Sequence, residues 1–425
     1  MVRSSAANAA ATHASRSPGR VSFCTNSAYP PAGNDCSVTD KTFFLYKILG
    51  KIVVKADFSL GSSPDYHDII SPGGYGIISY GLPRKGKNII IPETVTTGAE
   101  KYMRTFSPKL AAKALWQMRV KRRPFVLSHA INARCNLRCS FCEYWRHPGD
   151  EMSKPEVLRL LDQASDFGIG VYNAWAAEPL LREDLPQILA YAKDAGMITS
   201  MVTNGVLLEK RAPELSDLDY LSVSLDGIKS HKLLRGIDSS AVVKGIRTAR
   251  DLGHEVLINC IISGTNLNEL EEMVDLARSL EVWISFEPLF QHSCIDSEVW
   301  DRLGIKDQAV FQKAVERLID LKKDGAPIIN SCTYLQMVKS GRPSFRCHAS
   351  DIVLHVASDG TIENCRAYKE PLGNVSEGLE KVWNRSRDLR KKAARECGGC
   401  LFFGYVENSL LYDFVPEVIA HYEWM

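Results

Sequence analysis

From about Phe125 onward, short apolar runs alternate with amphipathic stretches, and this rhythm restricts the chain to a parallel sheet covered by helices. The predicted strands are 125–133, 171–176, 198–203, 220–225, 256–262 and 282–289. Between them, Ser153 suits the cap of a helix that stops before Gly168, and a second helix fits from Pro186 to a stop at Gly196. Two more follow over 241–252 and 270–280, with apolar residues three and four apart. Six such units in order predict an α/β fold, a partial, open (β/α)6 TIM-like barrel. Chemistry in such folds gathers at the carboxyl ends of the strands, where loops and helix N-termini converge.

A chain of 425 residues exceeds one typical domain, so smaller parts are expected around a large catalytic one. Residues 1–40 are rich in Ala, Ser, Asn and Arg, with no acidic residue before Asp35. They read as a disordered or targeting-like tail, and Cys24 and Cys36 within it as incidental. Residues 41–124 form an extension punctuated by Gly and Pro, as at Ser71–Gly76. It ends in a predicted helix over 108–123 with Leu110, Leu115 and Met118 on one side and a cluster from Lys109 to Arg123 that is basic. Such a helix can be an ordinary packed one with a solvated face, or a peripheral membrane contact. The barrel core spans 125–330, and 331–425 reads as a small C-terminal α+β domain. A net charge of +2 gives no general argument for nucleic acid, and none is expected as a partner. Twelve cysteines in a chain of this length are too sparse for a disulfide scaffold, which favours a reducing, cytoplasmic setting. No apolar run reaches the ~18 residues that a membrane span requires.

Seven of those cysteines fall in two groups. Cys135, Cys139 and Cys142 follow the first strand at four- and three-residue steps. Three thiolates on one loop can ligate three irons of a cubane and leave the fourth open, since soft sulfur ligands suit iron–sulfur chemistry. A zinc site would need a fourth ligand, for which only His147 is near, at an unusual spacing. Cys-x3-Cys-x-Phe-Cys at the end of the first strand of a βα series resembles the signature of the radical SAM (S-adenosylmethionine) superfamily, over roughly 125–290. The resemblance implies a partial six-stranded barrel whose 4Fe–4S cluster binds SAM at its open iron. It also implies that one electron then cleaves SAM to methionine and a 5′-deoxyadenosyl radical that abstracts hydrogen from a substrate. An electron donor such as ferredoxin or flavodoxin is then expected as a partner.

Other strand ends carry further likenesses. Trp175-Ala176-Ala177-Glu178-Pro179 is similar to the family's Gly-Gly-Glu-Pro segment, where Glu178 and nearby backbone would receive the SAM ammonium. Here Ala176 and Ala177 stand where the family has glycines, which restricts φ and narrows the approach to the backbone. Thr203-Asn204-Gly205 ends the third strand as a turn often found there in the family. Alternation along the fourth sends Ser222, Ser224 and Asp226 to one face, and such polar groups inside a barrel need partners that SAM would supply. His231 and Arg235 resemble the family's stretch after this strand, with Arg235 suited to the SAM carboxylate and Asn259 able to face the cofactor.

The second group comprises Cys347, Cys365, Cys397 and Cys400, with Asp359-Gly360 as a hairpin turn between runs 352–356 and 361–364. Taken alone, the four thiols suit zinc and an iron–sulfur cluster equally. Their spacing resembles the auxiliary-cluster extension called a Twitch domain, related to SPASM domains, which implies a second 4Fe–4S cluster ligated by protein at all four irons. Cys260 reads as core, and Cys294 beside His292 as incidental. The expected function is thus a radical SAM enzyme acting on a peptide, cofactor precursor or lipid. Its competitor is a non-catalytic iron–sulfur or zinc protein that binds a partner or carries electrons.

Overall fold

The computed structural model describes residues 108–146, 149–291, 295–366 and 369–419. The expected tail, the extension up to 107, and His147, His292 and Cys294 lie outside them. Six strands, β1 Val126–Ala130, β2 Val171–Trp175, β3 Ile198–Thr203, β4 Tyr220–Ser224, β5 Glu255–Ile262 and β6 Trp283–Pro288, pair in sequential, parallel order. Each is followed by helical structure, as the alternating pattern requires. The helix Lys154–Phe167 opens on a capping box between Ser153 and Glu156 and closes at Gly168, whose φ of 94° suits glycine. A side chain on Gly168 would also meet the Gln117 amide at 2.6 Å.

Register explains why the barrel has an open, polar interior. Ser128 lies beside Asn173, Asn173 beside Ser200, Ser224 beside Asn259, and Asn259 beside Ser285. One residue along each strand, Leu127, Tyr172, Met201, Val223 and Ile258 point to the other face and are fully buried in the main core. The helices therefore seal the apolar face and leave the polar one inside the barrel. Cys260 is 1% exposed and packs in that core as expected.

Two departures from expectation follow from long-range contacts. The sheet does not stop at residue 330. β7 Val353–Val356 pairs parallel with β1, and β8 Thr361–Glu363 and β9 Pro371–Asn374 continue antiparallel, giving nine strands in the order β6-β5-β4-β3-β2-β1-β7-β8-β9. The Asp359-Gly360 hairpin is present, with Gly360 at φ 85°, but its first strand is part of the barrel sheet. The second departure is the helix over 108–123, which is α-helical only from Pro108 to Leu115 and then widens to a π turn over Trp116–Val120. Gln117 is drawn inward and donates to the Phe167 carbonyl at 2.7 Å, while Leu115, expected on the packed side, is 40% exposed and Trp116 58%. No helix among the described residues is long and apolar enough to cross a membrane.

Among the buried imidazoles of the described residues are His129, His231 and His355. Burial is the main cause that holds His129 and His355 down to about 3 and His231 to about 4. Because each is neutral when folded, its stabilisation is complete above the unfolded value near 6.5 and is lost as pH falls toward the folded one. At pH ~5 each should cost about 2 kcal/mol. Denaturant titrations at neutral pH and at pH ~5 should therefore differ by several kcal/mol, and equal midpoints would refute the assignment.

Candidate functional site

The loop after β1 carries Cys135, Cys139 and Cys142, and it is tied to the loops that follow β2 and β3. Asn132 donates to the Glu178 carbonyl at 3.0 Å, and the Glu178 N–H donates to the Arg134 carbonyl at 3.0 Å. The Asn204 amide reaches Asn136 Oδ1 at 2.8 Å and the Cys135 sulfur at 3.8 Å, and the Leu137 N–H points at the same sulfur at 3.4 Å. N–H groups aimed at sulfur favour its thiolate form. Burial opposes them, and Cys139, enclosed in a small apolar cluster with Leu137 and Phe141, is pushed up to about 11. Positive charge is what such a loop needs in order to hold thiolates, and a soft metal cluster would supply it.

The Glu178 carboxylate is engaged by the loops around it. Its carboxylate is fully buried and accepts from Thr203 Oγ1 at 2.6 Å, the Asn204 N–H at 2.8 Å and the Leu180 N–H at 3.0 Å. Burial raises its pKa while these donors oppose the rise. It locks the β2 and β3 loops together, beside the backbone of Ala176 and Ala177. Ala176 and Ala177 stand at φ 70° and 41°, and their carbonyls accept no backbone hydrogen bond among the described residues. The curl that glycine would adopt freely is thus kept despite two methyl groups. A side chain there costs about 1–2 kcal/mol, and glycine returns about 0.4–1 through the unfolded chain. Ala176→Gly should therefore stabilise by up to ~1 kcal/mol in a denaturant titration; a loss of stability would show the backbone to be unstrained.

Asp226 and Arg235, expected to meet SAM, meet each other. Arg235 Nε and Nη2 donate to the two Asp226 oxygens at 2.6 and 3.1 Å, and the Ile261 N–H adds a third bond at 3.0 Å. Asp226 is fully buried, and the guanidinium lies 5.4 Å from the Phe141 ring centroid. The pair props the cysteine loop from below. His231 accepts the Asp226 N–H through Nδ1 at 3.2 Å. Ser222, Ser224 and Asn259 remain on the half-buried inner face, where Asn259 Oδ1 accepts from Ser285 at 2.7 Å.

The second group shares one recess. Cys347, Cys365, Cys397 and Cys400 line one recess with Ala393, Ala394 and Tyr405. The Gly399 N–H points at the Cys397 sulfur at 3.4 Å, and burial pushes Cys400 up to about 12. Among the described residues no three His, Cys, Asp or Glu side chains form a group suited to a metal ion.

One residue between the two groups was missed from sequence. Arg366, next to Cys365, lays its guanidinium 4.5 Å from the Trp175 ring centroid and 5.4 Å from that of Phe402. Tyr144, two residues past Cys142, stacks edge-on against Trp175 at 5.3 Å. Arg366 also hydrogen-bonds the Tyr144 side chain and is attracted by the Glu287 carboxylate. A lone basic residue beside a cysteine gives no local signal. Phe402, with Glu287, Phe290 and Cys400, also lines a neighbouring cavity of about 310 Å³.

Thiols at the mouth of a polar, half-open interior suit an enzyme that binds a polar cofactor at a soft metal centre. Comparison with known proteins gives that class its family. The profile of the radical SAM superfamily matches residues 130–277. Proteins described as "Probable GTP 3',8-cyclase" are similar in sequence. That of Methanococcus vannielii is 33% identical over 207 residues, 45% of this chain and 69% of its own length. Those of Methanococcus maripaludis and Archaeoglobus fulgidus are 33% and 36% identical over 41% and 35% of this chain. The chain spans only 63% and 53% of the length of those two. It belongs to the radical SAM superfamily. Among solved structures, Streptococcus suis SuiB bound to S-adenosylmethionine shares the fold at a TM-score of 0.53 and 19% identity, over 67% of this chain and 74% of that one. Native anSMEcpe with bound AdoMet and a peptide gives 0.53 and 17%, over 71% and 99%.

Proposed function

We propose that Cys135, Cys139 and Cys142 hold the SAM-cleaving 4Fe–4S cluster, and that Cys347, Cys365, Cys397 and Cys400 hold a second. The observation that carries this reading is placement: Cys135 and Cys142 pack with Cys139 in one small cluster after β1, and the other four cysteines line one recess. When bound, the first cluster supplies the electron that splits SAM into methionine and a 5′-deoxyadenosyl radical. The chain's own contribution is orientation. Ala176 and Ala177 offer carbonyls to the SAM ammonium, Ser222, Ser224 and Asn259 offer polar contacts along the wall, and Glu178, Asp226 and Arg235 fix the loops.

The substrate is a small, anionic cofactor precursor with a planar ring, of the nucleotide kind for which the relatives are named. Arg366 supports this class, because a guanidinium backed by Trp175 and Phe402 suits phosphate or carboxylate beside an aromatic system. The test is anaerobic reconstitution with iron and sulfide, then reduction by dithionite in the presence of SAM, with and without GTP. About eight irons per chain, formation of 5′-deoxyadenosine, and faster formation with GTP are expected. Absence of deoxyadenosine refutes the enzyme reading, and indifference to GTP refutes the nucleotide one.

A further inference from the structure

The helix Arg387–Glu396 reads RDLRKKAARE, five basic residues against two acidic. Arg390 is used internally: it lies 3.4 Å from the Trp383 ring centroid and donates to the Ser350 carbonyl at 2.9 Å. Arg387, Lys391, Lys392 and Arg395 are exposed and carry no ion pair among the described residues. The spacing of Arg387, Lys391 and Arg395 at four-residue steps makes one cationic stripe along the helix. Lys381, on the preceding helix Leu379–Arg385, is exposed as well.

What distinguishes this helix from an ordinary solvated one is what lies beneath it. Ala393 and Ala394 line the recess that contains Cys347, Cys365, Cys397 and Cys400. This helix thus presents only the small side chains of two alanines to the recess that holds the four thiols.

We propose that this face docks an acidic one-electron carrier protein. The inference rests on the reading of the four thiols as a cluster site. A radical SAM enzyme consumes an electron for each SAM cleaved, so a reductant must approach it. An uncompensated positive stripe attracts an acidic partner and accelerates its encounter. Docking is non-covalent, and no bond is made or broken in it.

The probe is a flavodoxin of strongly negative net charge, titrated calorimetrically against the reconstituted full chain at low and high salt. Binding should weaken about tenfold or more in Lys391→Glu/Lys392→Glu, and in the wild type as salt rises, with the thermal transition unchanged. Lys109→Glu/Lys113→Glu, on the other basic helix, should bind as wild type does. Flavodoxin-driven deoxyadenosine formation should fall with the binding, while dithionite-driven formation should not. Equal binding by wild type and the Lys391/Lys392 variant overturns the proposal, as does an equal loss in the Lys109/Lys113 variant, or an RNA duplex that binds this face while flavodoxin does not. Loss of dithionite-driven turnover in the wild type would instead refute the enzyme reading on which the proposal stands.

Discussion

Replacing Asp226 by alanine is expected to cost about 3–5 kcal/mol of folding stability, more than any surface change in this chain. The carboxylate is fully buried and neutralises the Arg235 guanidinium through two bonds while accepting the Ile261 N–H. Alanine would leave a buried cation and a buried N–H without partners. Removing both charges is a different change, because an apolar pair of similar volume avoids the desolvation of either ion. Asp226→Leu/Arg235→Leu should therefore recover most of the loss. Denaturant midpoints at neutral pH measure all three proteins. If Asp226→Ala lies within ~1 kcal/mol of wild type, the pair is not the prop described above.

Changing Cys135, Cys139 and Cys142 together to alanine should lower the iron content after reconstitution from about eight to about four per chain, and deoxyadenosine to background. Changing Cys347, Cys365, Cys397 and Cys400 together should remove the other four while SAM cleavage by dithionite survives. The contrast follows from position: the first group sits at the mouth of the barrel against Asn204 and Phe141, and the second under the helix Arg387–Glu396. Deoxyadenosine formed by the first variant at the wild-type rate would end the assignment of that loop.

Much of this was legible because the signals were local. Alternation marked the six strands, since the apolar face of each must meet helices, and Ser153 and Gly168 marked the ends of their helix by backbone chemistry. What escaped was set by distant partners. Helical periodicity over 108–123 says nothing of the Phe167 carbonyl that draws Gln117 into a π turn. Asp226 and Arg235 each read as a ligand group, and only the short helix Ser230–Arg235 that returns the arginine to the strand end shows that they satisfy one another. The Glu178 motif was legible as a motif, but its three donors come from two loops that only the fold assembles.

The pairing of β1 with β7 bears on how such a chain can be divided. Val126 through His129 lie in register with Val353 through Val356, so the strand that leads to Cys135 and the strand that follows Cys347 are backbone neighbours. A fragment ending near residue 330 would expose one whole side of β1, a row of unpaired N–H and C=O groups open to another chain. The C-terminal part is therefore no detachable cartridge. Exchange of this region between relatives would need a junction that carries β7 with it, and a shortened barrel should self-associate more than the intact chain.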